Sequence, residues 1–240
     1  CPICQGSNQQ KWVEKQVANT LPLPYFHVVF TLPSELNPLI RANPVELFNL
    51  LFRAASKTLL TLAKDKNFLG AQPGFTAILH TWGSNLQFHP HLHCIVAGGG
   101  LSIDHKRFVV CKDSFFLPIK AISAVFRGKF LDELKTFFVK STLHLPENLN
   151  TIAKRQQFLD NLYATKWVCY CKKPFRDASD VIRYLGRYTH RVAISEGRIV
   201  SYNPDTRMVR FKWKDYKSHN AIKIMELSDD EFVRRFLLHV

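Results

Sequence analysis

The run Phe88-His89-Pro90-His91-Leu92-His93-Cys94-Ile95-Val96 constrains this chain more than any other feature. Its apolar, β-branched second half reads as a strand, and strand side chains alternate between faces. His91 and His93 therefore point the same way, with Leu92 opposite. Two imidazoles side by side on one sheet face suit a divalent cation; buried for packing alone, each would need its own hydrogen-bond partner. A third ligand should come from a neighbouring strand, and Phe75-Thr76-Ala77-Ile78-Leu79-His80-Thr81-Trp82 supplies one. With the strands antiparallel, two registers keep His80 on the histidine face. One sets it opposite His93, with Gly83 to Pro90 as an eight-residue loop; the other slides by two and sets it opposite His91. Either gathers His80, His91 and His93, with His89 as a reserve ligand. A three-ligand site with open positions has catalytic form but does not name the reaction.

The remaining elements frame that hairpin. Tyr25 to Leu32, aromatic and β-branched and closed by Pro33, reads as a buried strand. A helix is expected from Pro44 to Lys64, capped by Asn43, with Pro44 in its first turn and Glu46 three residues after the cap. Residues from Ile119 to about Ala164 turn helical and amphipathic, Lys166 to Lys172 resembles a strand, and further strands are expected near Arg191 to Tyr202 and Met208 to Trp213. Strands and helices mixed at irregular spacing indicate an α+β domain. Cys1-Pro2-Ile3-Cys4 is a Cys-x-x-Cys knuckle offering half a tetrahedral zinc site, its other two ligands lying upstream of Cys1. The start at Cys1, without Met or leader, suits an excerpt from a longer protein. Six cysteines in 240 residues are too sparse for a secreted disulfide scaffold, so a reducing cytoplasm is expected. Cys169 and Cys171 share a strand face and are expected to be buried as small apolar residues.

Asp180-Val181-Ile182-Arg183-Tyr184-Leu185-Gly186-Arg187-Tyr188-Thr189-His190-Arg191 is the second informative segment. As a helix capped by Asp177 it stacks Tyr184 on Tyr188, and Arg183 on Arg187 with Arg191 extending the row. A row of like charges weakens a helix slightly, and an anionic ligand would offset that. A phenol, with a pKa of about 10, attacks poorly until a base or a metal-polarised electrophile helps it. Arginines beside it can hold flanking phosphates. Metal, tyrosines and basic row together describe a DNA-nicking site.

These segments resemble a known family. His91-Leu92-His93 looks like the histidine–hydrophobic–histidine (HUH) motif of single-strand endonucleases, and Tyr184-Leu-Gly-Arg-Tyr188 like the two-tyrosine motif of rolling-circle transposases of the insertion-sequence-91 type. The likeness extends over Leu79 to Gly83, His89 to His93, Lys172-Lys173-Pro174-Phe175, Tyr184 to Ile194 and Phe211 to Tyr216, and is looser from Ile119 to Leu162. Cys1 to Cys4 resembles the end of that family's zinc-binding domain. The resemblance implies a central antiparallel β-sheet flanked by helices, with residues 1–15 a zinc-domain remnant, 16–225 the endonuclease domain with a helical insertion at 119–164, and 226–240 a tail or the start of a helix. It implies tyrosine attack on a DNA phosphate, leaving a 5′-phosphotyrosine link, with Mg²⁺ or Mn²⁺ as working metal.

Charge agrees with a nucleic-acid partner. The chain carries +14, of which +9 falls between Lys166 and Lys223, where 14 Lys and Arg stand against 5 Asp and Glu. Lys172 and Lys173 precede the tyrosine segment, and Lys212 and Lys214 flank Trp213, an interleaving that suits stacked bases and paired phosphates of single-stranded DNA. Two other readings share part of this pattern: a metallohydrolase using activated water, with the tyrosines as packing, and a non-catalytic DNA-binding relic.

Overall fold

The computed structural model describes residues 2–111, 117–171, 180, 182, 186, 193–215 and 218–239. Its centre is an antiparallel sheet of β1 (Tyr25–Thr31), β2 (Ala71–Trp82), β3 (Phe88–Ser102) and β5 (Cys169–Cys171) in the order β2-β3-β1-β5, with β4 (Phe108–Val110) paired to the far end of β3. The fold is α+β, an antiparallel sheet flanked by helices, as the sequence led us to expect.

Strand alternation divides this sheet into two unlike faces. Phe26, Val28 and Phe30 of β1 and Leu92, Cys94 and Val96 of β3 point into the main core. Helices α3 (Pro44–Lys64), α4 (Ile119–Lys140) and α5 (Ile152–Ala164) contribute much of the remainder, with Leu36, Leu39, Ile40 and Trp167 among the other buried residues of that core. Leu47, Leu50, Leu51, Ala54, Leu59 and Leu62 recur at helical spacing on the buried stripe of α3. Phe30 packs on Phe126 at 4.9 Å between ring centroids, and Trp167 sits 5.3 Å from Phe126 while its Nε1 donates to the Leu162 carbonyl. Arg53 and Lys57, which interrupt the apolar run of α3, reach across to Glu133 of α4 at 2.9 and 2.6 Å.

Several boundaries differ from expectation. Asn43 precedes α3 but does not cap it through its side chain. Its amide instead donates to the Leu39 and His144 carbonyls and accepts from the His144 amide, tying α2 (Asn37–Ala42) to the segment after α4. The helical stretch after Ile119 is two helices, broken where Ser141 takes a positive φ of 52° and Pro146 follows. Residues 2–18 form a helix, α1 (Pro2–Ala18), so the backbone of Cys4 lies in its first turn. Trp12, Val13 and Val17 of α1 pack with Ile95, Ile78, Tyr25 and Ile182, which explains why a mostly polar segment is helical: one stripe finds apolar cover. Gly70 turns the chain into β2 with a φ of 67° that side chains resist.

A second, three-stranded antiparallel sheet follows, β6 (Ile199–Asn203), β7 (Met208–Asp215) and β8 (Ala221–Ser228), covered on one face by α6 (Asp229–Leu237). The strand expected from Arg191 begins only at Ile199, because Glu196–Arg198 forms a 3₁₀ turn around Gly197. β8 crosses residue 225, and α6 lies within 226–240, the stretch for which a tail or the start of a helix was expected. Ser228 caps α6, accepting from the Glu231 amide.

Candidate metal centre

The face of the central sheet opposite the main core carries His80 from β2, His91 and His93 from β3, and His27 from β1. The observed register is the tighter of the two expected: His80 pairs with His91, so the register that set it opposite His93 does not occur. A bulge between His80 and Trp82 and a short connection with Gly83 N–H bonded to the Gln87 carbonyl make this register possible. Leu86 closes the turn at a φ of 62°, unusual for a bulky residue, with its side chain fully buried against Phe211 and Ile194. The burial holds it there.

The ligand nitrogens of His80, His91 and His93 all lie within 4.8 Å of one another. His91 Nε2 and His93 Nε2 are 3.1 Å apart. Two nitrogens each about 2.1 Å from a shared cation stand about 3.0 Å apart at a right angle and about 3.4 Å apart at the tetrahedral angle. The His91–His93 pair therefore stands at the spacing of two ligands on one divalent ion, and imidazole nitrogens take Zn²⁺ more readily than Mn²⁺, and Mn²⁺ more readily than Mg²⁺. His80 is 3% exposed and His93 7%. Burial, followed by the neighbouring imidazoles, drives the pKa of His91 down to about 3 and that of His93 in the same direction. His91 and His93 thus meet a cation unprotonated at neutral pH.

Surrounding groups fix the rings. His91 Nδ1 donates to the His89 carbonyl at 2.7 Å, which leaves Nε2 as its lone-pair nitrogen. His89 enters the site through that carbonyl; its own ring, 5.2 Å from that of His91, falls outside the ligand cluster. Trp82 stacks on His80 at 4.7 Å, and His239, just beyond α6, stands 5.7 Å from Trp82 while bonding Thr81 and the Leu86 carbonyl. Arg235 reaches the Asn85 carbonyl, and Arg198 bonds the Ser84 carbonyl. The second sheet and α6 therefore brace the tip of the histidine hairpin.

Sequence reasoning did not single out His27, Trp82 or His239. His27 shares a bond of 2.8 Å with His93, yet it lies in an aromatic strand 66 residues away, where a lone histidine reads as core. Of the expected DNA contacts, Lys212 and Lys214 are exposed on the outer face of β7, while Trp213 turns the opposite way into the second core. The basic and aromatic side chains interleave along the sequence but occupy different faces. Cys169 is buried and its thiol is pushed up to about 11 by that burial, as expected of a packed cysteine. Tyr184, Tyr188, Arg183, Arg187, Arg191, Lys172, Lys173 and Cys1 lie outside the described residues. Within that stretch Asp180, Ile182 and Gly186 have helical backbone, and Ile182 is buried against Ile95 on the histidine face.

Comparison with known proteins places the chain. The family described as "Putative transposase" matches residues 74–240, and the "Transposase zinc-binding domain" of the IS91 type matches residues 1–32. The chain belongs to the IS91-type, two-tyrosine transposase family. It is 46% identical over 243 residues to "Putative transposase y4qJ" of Sinorhizobium fredii (strain NBRC 101917 / NGR234) and 28% identical over 247 residues to the "Transposase for insertion sequence element IS801" of Pseudomonas savastanoi pv. phaseolicola. Both alignments cover all of this chain, which spans 61% and 56% of those proteins. Among solved structures it is similar to the conjugative relaxase TrwC in complex with oriT DNA, at 12% identity and a TM-score of 0.37 over 68% of this chain and 70% of that one. The zinc-domain match runs through β1, so a central strand of the histidine sheet falls outside the transposase match. Among the described residues, no helix is long and apolar enough to cross a membrane.

Proposed function

We propose that this chain cuts and rejoins single-stranded DNA at the ends of a mobile element, using a tyrosine nucleophile and a divalent cation held by His80, His91 and His93. The observation that carries this reading is the convergence of the three imidazoles on the sheet face against which Ile182 packs, two residues before Tyr184 in the chain. The phenol oxygen of Tyr184 or Tyr188 attacks a backbone phosphorus as the bond to the 3′ oxygen breaks; the phenol's proton passes to that departing oxygen, giving a free 3′-hydroxyl, and a 5′-phosphotyrosine ester remains. Attack by a DNA 3′-hydroxyl on such an ester releases the tyrosine and joins the strands, and the second tyrosine permits another transfer. Mg²⁺ or Mn²⁺, when bound, supplies Lewis-acid stabilisation of charge on the phosphate oxygens. The chain's own part is to keep three neutral nitrogens in place, with His89 and Trp82 holding the rings.

Arg183, Arg187 and Arg191, with Lys172 and Lys173 ahead of them, pair with phosphates beside the attacked one. Lys212 and Lys214 extend the basic surface on the second sheet, and binding should weaken steeply with salt. Trp213 serves as packing in this reading. Residues 1–15 end a zinc-binding unit in which Cys1 and Cys4 take Zn²⁺ together with upstream ligands, and the residues from 16 onwards form the endonuclease unit, acting in the bacterial cytoplasm. The test is a labelled single-stranded oligonucleotide carrying an element end, incubated with protein and Mn²⁺. A covalent protein–DNA adduct is expected, lost in the Tyr184→Phe, Tyr188→Phe double variant and in His91→Ala. Cleavage without adduct would replace this reading by hydrolysis through an activated water, and metal binding without cleavage by a DNA-binding relic.

A further inference from the structure

We infer that His27 is a positioning residue that sets which nitrogen of His93 faces the cation; the inference rests on the histidine cluster being a metal site. β1 pairs with β3 so that His27 stands opposite Ile95 and Val29 opposite His93, which puts His27 diagonally beside His93 on the same face. Their rings lie nearly parallel, 13° apart, and His27 Nε2 meets His93 Nδ1 at 2.8 Å. The other nitrogen of His93, Nε2, is the one beside His91. At 3% and 7% exposure, neither ring is readily reached by bulk water.

One proton occupies the bond between two neutral imidazoles, and its position decides the chemistry. With the proton on His93 Nδ1, His27 Nε2 accepts it, and His93 Nε2 presents a lone pair to the site. With the proton on His27 Nε2, His93 Nδ1 accepts, and its Nε2 carries the ring's only proton and cannot ligate. His91 faces no such choice, because the His89 carbonyl can only accept. His93 is thus a ligand whose competence depends on a side chain, and His27, as acceptor, holds it in the ligating form. A carbonyl or carboxylate commonly does this beside metal-bound histidine; here an imidazole from the neighbouring strand does it.

The test compares the wild-type chain with His27→Phe, which keeps ring bulk and removes the acceptor, and His27→Gln, whose amide oxygen restores one. Mn²⁺ is titrated in, and the free ion is read by electron paramagnetic resonance, with thermal unfolding in chelator as a check on folding. Removing such a partner typically lowers metal affinity about 10–100-fold; that loss is expected for His27→Phe, with substantial recovery in His27→Gln. Wild-type affinity in His27→Phe, or equal loss in both folded variants, would overturn the positioning role. Failure of the wild-type chain itself to bind Mn²⁺ would overturn the metal reading beneath it, and the role with it.

Discussion

The two faces of the central sheet are built by alternate residues of the same strands and could hardly be less alike. On one, Phe26, Val28, Phe30, Leu92, Cys94 and Val96 meet three helices in a continuous apolar core. On the other, His27, His80 and His93 are buried with their nitrogens turned toward one another. Burying polar rings is unfavourable unless they find partners. The first face therefore carries the main core, while the second holds, beside the apolar cluster of Ile78, Ile95 and Ile182, three imidazoles spaced so that they could hold a metal ion. The lesson is a division of labour at single-residue resolution: a shift of one residue along β3 exchanges structural for chemical positions.

Substitutions on the two faces should separate cleanly. Phe126→Ala, which empties a site between Phe30 and Trp167, should destabilise the chain by about 3–5 kcal/mol in denaturant unfolding. His91→Ala, at a half-buried ligand, should lower Mn²⁺ affinity far more than stability. A stability loss as large as that of Phe126→Ala would break the contrast.

Ligand linkage sharpens it further. Mn²⁺ at about a hundred times its Kd should stabilise the wild type by about 2.7 kcal/mol, read as a rise in Tm, and leave His91→Ala unmoved. Acid should act on the same face. His91 titrates near 3 in the folded chain and near 6.5 unfolded. Between those values the unfolded state binds the extra proton, so stability is complete above about pH 6.5 and declines as pH falls toward 3. A flatter pH profile in His91→Gln, by urea titration at several pH values, is the expected outcome.

The smallest effects lie away from both faces. Ser228→Ala removes the α6 cap and should lower stability by about 1 kcal/mol. Glu133→Gln, which breaks exposed pairs with Arg53 and Lys57, should change it by less than about 1 kcal/mol, less still at high salt.

Much of this was legible in order along the chain. The α3 stripe, the β1 strand and the shared face of His91 and His93 follow from periodicity, because period 3.6 and period 2 are written into adjacent residues. His80 could be placed on that face but not in register, because the tighter pairing depends on a bulge and on Leu86 accepting a left-handed backbone. Asn43 had the chemistry of a cap, yet Leu39 and His144 offered its amide better-placed partners. β8 has little alternation to declare it: Ile222 and Ile224 lie on its outer face, 75% and 51% exposed, and β7 supplies the pairing.

By itself, then, the sequence determined which residues could share a face, since that depends only on backbone geometry. Tertiary structure decided which of them meet. The bond between His27 and His93 and the support of Trp82 by His239 join side chains by the packing of distant elements. Contacts of that kind depend on how strands register and layers close, and no local pattern encodes them.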